Sequence, residues 1–370
     1  MQNGKTKKPQ IIILDGTLRD GEQQIGVNFN CSDKILITKK LLEAGVEQIT
    51  IMPIVSKDEE ETSKKLLKLN PADKIYSDTM LGTKFVDHSY DLGFKNIVLF
   101  SSLSDRLLKI KKITKRQNLE KAIAVCKYAK ERGMGVVFAG EDATRADINY
   151  VIKFIKSIQE NISSFILCDT VGILTPRKTK TFMSHIKNNV KCKLGAHFHN
   201  DRGLANKNTI IAVKNGVEVI SGTAGGIGER AGNADWCDVL IELKNEGVEF
   251  GNIDYSKLRK LKALVYKRGG ARPAKPYSSR AFWHESGIHV RALLEDIFSY
   301  NSFPPEKFGK RNKFFYGKFS GTASYKDLFG EKYTDTQLIK IRDKMKELSY
   351  KNKKSYSPGE TKDLVSRMSA

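Results

Sequence analysis

Four clusters in this 370-residue chain hold side chains in combinations that folding alone does not require. The first is D-G-T-L-R-D-G-E-Q at Asp15–Gln23, where Arg19, Asp20, Glu22 and Gln23 crowd a glycine-flanked loop. A salt-bridged loop is its plain reading; charged groups gathered around a reacting centre is the functional one. The second is His197 and His199 in G-A-H-F-H-N-D. Residues i and i+2 on a strand point to the same side, so both imidazoles can reach one ion. They are two of only six histidines, which weighs against coincidental burial. With Asp20 the set becomes two nitrogens and one carboxylate, suited to a divalent ion of the Mg, Mn, Co, Zn or Fe group; spacing does not choose among them.

The third cluster is G-T-A-G-G-I-G-E-R-A-G-N-A-D-W at Gly222–Trp236, with Glu229, Arg230 and Asn233 among its glycines. Such a loop allows close backbone approach and can cradle an anion, although a glycine-rich turn alone is a weak signal. The fourth is H-E-S-G-I-H at His284–His289. A histidine there is either an exposed helical residue or a general base, since histidine ordinarily titrates near neutrality.

Something must position these groups, and the chain supplies a regular frame. Strand-like runs recur at 11–17, 48–54, 74–81, 96–102, 134–140, 164–170, 193–200 and 219–226, separated by amphipathic helical stretches. One such stretch, SDKILITKKLLEAG, starts behind a Ser/Asp cap, and Gly45, Gly93, Gly133 and Gly216 mark helix ends. Apolar strands alternating with helices pair in parallel, because parallel pairing needs a crossover. Eight units in about 240 residues match an α/β protein of the (β/α)8 TIM-barrel class, with the polar clusters at the strand ends that form its mouth. An open doubly wound sheet is the alternative; no G-x-G-x-x-G follows the first strand to favour its dinucleotide-binding form. The rhythm breaks near Asp254. The expected organisation is a barrel over 1–253, a Gly/Pro/Arg-rich linker over 254–281, and small, mostly helical subdomains over 282–370. In the last, WHESGIHVRALLED reads as helical and Thr334 or Asp335 caps a long charged helix.

Composition narrows the classes further. No apolar run approaches the ~18 residues of a membrane span, and MQNGKTKKPQ lacks the apolar core of a secretory leader. The five cysteines are scattered with no C-x-x-C, which fits a reducing cytoplasm better than a disulfide framework. Lys+Arg 64 against Asp+Glu 42 gives a formal charge of +22. That excess is mostly lysine on helical faces (Lys64, Lys65, Lys68; Lys109, Lys111, Lys112, Lys115) without interleaved aromatics. It reads as a solvated basic surface rather than a nucleic-acid platform.

Taken jointly, the clusters resemble the DRE-TIM metal-dependent acyltransferases, which include 2-isopropylmalate, citramalate and homocitrate synthases. Besides the four, G-E-D-A-T-R-A-D (Gly140–Asp147) and C-D-T-V-G (Cys168–Gly172) fit the pattern in family order, and FPPEKFG and GKFSG extend it through the tail. The resemblance implies condensation of acetyl-CoA or a related acyl-CoA with a 2-oxoacid. It implies a divalent metal (Mg, Mn, Zn or Co) on Asp20, His197, His199 and Asn233. Arg19 would stabilise the alkoxide, Thr170 would bind the oxoacid carboxylate, and Gln23 and Glu141 would line the pocket. His289 would be the base, with Tyr300 nearby and Glu285 orienting it. A homodimer with a swapped C-terminal region is implied too, with His289 supplied in trans.

Two departures bear on the substrate. Homocitrate synthases carry extra basic or polar groups on strands three to five; here Leu81, Leu107, Leu108, Val137 and Ala139 stand there, with Arg106 the one obvious cation. The expected pocket is therefore more apolar than homocitrate synthesis needs. The sequence runs to Ala370, and feedback inhibition through the regulatory domain of long isopropylmalate synthases is not expected. The competing activity is a carbon–carbon lyase of the 3-hydroxy-3-methylglutaryl-CoA type; such lyases carry a cysteine in the glycine loop and lack the H-E-S-G-I-H tail.

Overall fold

The computed structural model describes residues 9–69 and 71–368. The first eight residues, on which the leader reading rests, lie outside the described residues, as do the last two. Eight parallel strands close on themselves: β1 (Ile12–Asp15), β2 (Gln48–Ile51), β3 (Ile75–Met80), β4 (Asn96–Ser102), β5 (Gly135–Glu141), β6 (Ser164–Asp169), β7 (Lys193–Phe198) and β8 (Val219–Gly222). β8 returns to β1 with Ile12 opposite Val219 and Asp15 opposite Gly222, which excludes the open sheet. Side chains alternate across the wall. On β4, Ile97 and Leu99 join the shell under the helices, while Val98 joins Leu14, Val137 and Ile166 inside the barrel. Both faces are buried, so these strands read as continuous apolar runs.

The crossovers are α1 (Cys31–Glu43), α2 (Lys57–Leu69), α3 (Thr83–Asp91), α4 (Asp105–Ile110), α5 (Lys115–Glu131), α6 (Ile148–Ile158), α7 (Pro176–Lys187) and α8 (Ala205–Lys214), and α9 (Trp236–Asn245) follows β8. The cap of α1 is Asn30, not Ser32 or Asp33. Its side chain accepts from the Asp33 N–H while the Asp33 carboxylate accepts from the Asn30 N–H. Gly45 follows with φ 94°, and a Cβ there would sit 2.0 Å from the Asn252 carbonyl oxygen.

The expected linker is only partly irregular. Within 254–281 lies α10 (Leu258–Gly269), whose Leu258, Leu261 and Val265 are buried in the outer barrel core. Its helical spacing is masked in sequence by the surrounding lysines and arginines. After it, β9 (Trp283–His284) pairs with β10 (Lys313–Phe314), so the first part of WHESGIHVRALLED is extended. Its helix, α11, runs only over Gly287–Glu295. Then come α12 (Thr322–Phe329), α13 (Asp335–Asn352), capped by Thr334 with Gln337, and α14 (Pro358–Met368).

This C-terminal region has its own small core of Tyr316, Tyr325, Leu338, Met345 and Tyr356. It covers the barrel mouth as a lid, and two of the contacts that seat it are buried clusters. Leu107 of α4 packs with Ala292, Leu293 and Tyr300. A buried charge cluster forms the other: Lys318 Nζ donates to Glu22 Oε1 at 2.6 Å and Glu59 Oε1 at 2.8 Å, and Lys34 Nζ reaches Glu59 Oε2 at 2.6 Å and also Glu22. Glu22 belongs to the loop carrying Arg19 and Asp20, so the lid is tied to the mouth. Among the described residues, no helix is long and apolar enough to cross a membrane.

Candidate active site

The loop after β1 turns Asp20 inward, and β7 delivers His197 with His199 just past its end. The three donor groups come within 4.8 Å of one another. The Nε2 atoms of the histidines are 3.3 Å apart, and lie 3.6 Å (His197) and 3.9 Å (His199) from Asp20 Oδ2. Two imidazole nitrogens converging on a carboxylate oxygen is an arrangement that a cation satisfies. The surroundings fit one. Ser221 Oγ lies 3.0 Å from His197 Nδ1 and orients the ring. Asn233 donates from Nδ2 to Asp20 Oδ1 at 2.9 Å, and its Oδ1 is buried without a partner. A Cβ at Gly228 would lie 2.1 Å from Asn233 Nδ2, so the glycine loop makes room for this amide. Burial pushes the His197 pKa down to about 4 and that of His199 well below its ordinary value, keeping both rings neutral as ligands must be. Burial alone would raise the Asp20 carboxyl, but Arg19 and the two histidines hold it well below the usual range.

Arg19 donates from Nη1 to Asp20 Oδ2 at 3.1 Å, and its Nε is ion-paired with Asp78. Asp78, on β3, is a site residue that sequence reasoning missed: it is a single acid in a strand read for its hydrophobicity. Burial pushes its pKa up to about 6 despite the opposing Arg19. Gln23, Glu141 and Thr170 all line the same cavity. Thr170 Oγ1 accepts from the Asp142 N–H at 2.8 Å, leaving its own hydrogen free to donate. The lining also holds apolar Leu14, Met52, Val98, Phe100, Ala139, Ile166 and Ile288, with the hydroxyls of Thr50, Ser221 and Ser286 among them. Of the other positions marked in the sequence, Val137 packs inside the barrel, Leu107 packs under the lid, and Arg106 pairs with Asp296 away from the cavity.

His289 faces this cavity from α11. Its ring stacks on Tyr300 with centroids 3.8 Å apart and 24° between planes, and its Nδ1 lies 3.4 Å from Glu229 Oε1. Tyr300 donates to Glu141 Oε1 at 2.5 Å. The partner expected for His289 was Glu285, but that carboxylate turns away and accepts from the Phe319 N–H at 3.0 Å. Glu229, from the glycine loop, takes its place. Within this chain His289 reaches the mouth of its own barrel. The segment after α10 is pinned to its own barrel, where Gln24 Nε2 donates to the Arg272 carbonyl at 2.7 Å, and it carries His289 over its own mouth.

The fold and site thus define a closed (β/α)8 barrel whose mouth offers a metal-ligand triad under a helical lid with a further histidine. Residues 10–265 match the HMGL-like family, and residues 277–353 match the Homocitrate synthase post-HMGL domain-like family. The chain belongs to the DRE-TIM acyltransferase family. It is 36% identical over 355 residues to a putative (R)-citramalate synthase of Archaeoglobus fulgidus, covering 93% of this chain and 73% of that one. It is 36% identical over 334 residues to 2-isopropylmalate synthase 2 of Caldanaerobacter subterraneus, covering 88% and 86%. It is 34% identical over 349 residues to a homocitrate synthase of Sulfolobus acidocaldarius, covering 90% and 74%. A solved HMG-CoA lyase from Bacillus subtilis superposes with TM-score 0.64 at 21% identity, over 73% of this chain and 97% of that one, a likeness of fold alone.

Proposed function

We propose that this enzyme joins the methyl carbon of an acyl-CoA thioester, acetyl-CoA in the simplest case, to the keto carbon of a 2-oxoacid with a short apolar side chain. The observation that carries the reading is the opposition of two chemistries across one cavity: Asp20, His197 and His199 on the barrel side, His289 on the lid side. Asp20, His197, His199 and Asn233 would hold a divalent ion, which when bound supplies Lewis-acid polarisation of the keto group. His289 takes a proton from the thioester methyl, with Glu229 beside Nδ1 to steady the charge that the ring acquires. The carbon nucleophile so formed is held against the keto carbon, and its attack makes the new bond. Arg19, fixed by Asp78, donates to the oxygen where negative charge develops. Thr170 donates to the oxoacid carboxylate, and Gln23 and Glu141 shape the pocket around it. Tyr300 positions His289. Water then adds to the thioester carbonyl, and the CoA thiol leaves.

The side-chain preference follows from the wall. Among the described residues that line the cavity, Arg19 is the one lysine or arginine. A second carboxylate, as on 2-oxoglutarate, would find no spare cation and would meet Asp20, Asp78 and Glu141. The homodimer with a swapped C-terminal region, implied by the resemblance, belongs to the same proposal.

The test is CoA-thiol release from acetyl-CoA with a panel of 2-oxoacids in Mg or Mn, repeated after chelation. Release with pyruvate or 2-oxoisovalerate, abolished by chelator and restored by metal, is expected. Cleavage of a 3-hydroxy-acyl-CoA without condensation would replace this reading with the lyase.

A further inference from the structure

A second group of metal-binding side chains meets beneath the lid: Glu229 from the glycine loop, His284 from β9 and His289 from α11, with donor atoms within 4.8 Å of one another. Glu229 is 1% exposed and His284 fully buried. Neither Glu229 oxygen has a hydrogen bond, and His289 Nδ1 lies 3.4 Å away without forming one. The Nδ1 atoms of both His284 and His289 are likewise buried and unpartnered. Leaving one buried polar atom unsatisfied costs about 1–3 kcal/mol, and native interiors avoid it. Here several such atoms converge.

The second nitrogen of His284 settles what its first can do. Nε2 lies 3.2 Å from Asn312 Oδ1, an oxygen that can only accept. Nε2 therefore carries the hydrogen, and Nδ1 presents a bare lone pair to the cluster. A metal-bound histidine is oriented in this way, with its outer nitrogen donating to an oxygen. Burial also keeps the ring neutral, its pKa well below the ordinary value. The nearby Arg230 opposes a cation in part: Asp201 holds its Nε and Nη2, at 2.7 Å and 3.1 Å, while its Nη1 is buried without a hydrogen bond.

We propose that Glu229, His284 and His289 bind a second divalent ion of the zinc class, and that this ion inhibits the enzyme. Two imidazoles and a carboxylate suit zinc better than magnesium, which prefers oxygen ligands and keeps its waters. Three protein ligands leave one position for water. Inhibition follows because the ion ties up His289, and this half rests on His289 being the base; the site itself does not.

The test uses zinc itself on the metal-stripped full-length chain, with bound metal counted after equilibrium dialysis. Two equivalents are expected in the wild type. One should remain when the mouth is disabled by Asp20→Asn with His199→Gln, and one should remain in His284→Gln. Glu229→Gln, a milder change of shape, must give the same loss if His284→Gln does not fold. A single equivalent in the wild type, none in the mouth variant, or two in Glu229→Gln would each overturn the site. Zinc added to magnesium-saturated enzyme should cut thiol release at least tenfold as the second equivalent binds; undiminished release would overturn the inhibitory role. Two bound equivalents in a chain that releases no thiol with any 2-oxoacid would leave the site standing and remove the condensing function instead.

Discussion

The ring of His289 lies on the ring of Tyr300, centroids 3.8 Å apart, and the Tyr300 hydroxyl is anchored on Glu141 of the barrel. The lid histidine is thus aimed by a residue that itself grips β5. Burial first, and then the Glu141 charge, push the Tyr300 phenol well above its ordinary pKa, so its O–H stays a donor.

The relationship predicts graded losses. His289→Asn should lower kcat by about 10²–10⁴-fold, the usual contribution of a positioned base. Tyr300→Phe keeps the stack but loses a hydrogen bond to a charged group, worth about 1.5–3 kcal/mol, so kcat should fall roughly tenfold to a hundredfold with KM little changed. Steady-state kinetics on both variants checks this; equal losses in the two would remove the positioning role from Tyr300.

Lys318 ties the lid to the loop of Arg19 and Asp20, and breaking that tie should be felt at both ends. Lys318→Met leaves Glu22 and Glu59 buried with Lys34 alone between them. Removing one partner of a buried ion cluster costs about 3–5 kcal/mol. The expected outcome is a lower melting temperature and faster proteolysis of the segment after Gly270, with divalent-metal affinity reduced as well. An unchanged melting curve would show that the cluster does not hold the lid.

Much of this site was legible in the sequence, and the reason is periodicity. Strand parity alone put His197 and His199 on one side, and the alternation of apolar runs with helices placed both at the barrel mouth beside Asp20. Contacts between segments far apart in the chain were not legible. Asp78 meets Arg19, Glu229 meets His289, and Lys318 meets Glu22 only once the barrel has closed. Glu285 looked like the partner of His289 because it is near in sequence, but β9 is extended and turns that carboxylate away. The helix α10 was missed because lysines and arginines alternate with its apolar positions and a Gly/Pro/Arg-rich stretch follows directly.

Glu141 makes the acid limb of stability a readout of the same wall. Burial would raise its pKa, but Lys111, Ser102 and Tyr300 together bring it down to about 2. The unfolded carboxyl titrates near 4.3. A carboxylate depressed in the folded state adds stability that is full above the unfolded value and is lost as pH falls toward the folded one. Between pH 5 and pH 3 the wild type should therefore lose about 1–2 kcal/mol more than Glu141→Gln. Urea unfolding across that range decides it, and parallel slopes would refute the assignment.

Ala139 tests the side-chain preference most directly. It lies on the cavity wall from β5, with Val98, Phe100 and Ile166 nearby on the same lining. Enlarging it removes room without touching the groups that would hold metal, carboxylate or proton. With the mouth unchanged, Ala139→Leu should spare the smallest oxoacid and penalise a branched one, because overpacking a formed wall costs about 1–3 kcal/mol. The ratio of kcat/KM for pyruvate over 2-oxoisovalerate should then rise roughly tenfold to a hundredfold. In the wild type, 2-oxoglutarate should trail the best apolar oxoacid by at least about 100-fold, since a buried carboxylate without a partner forfeits about 3 kcal/mol or more. If 2-oxoglutarate proved the best substrate, a cation from outside the present lining would have to reach the cavity, and Lys111, already 3.0 Å from Glu141 Oε2, would be the side chain to mutate next.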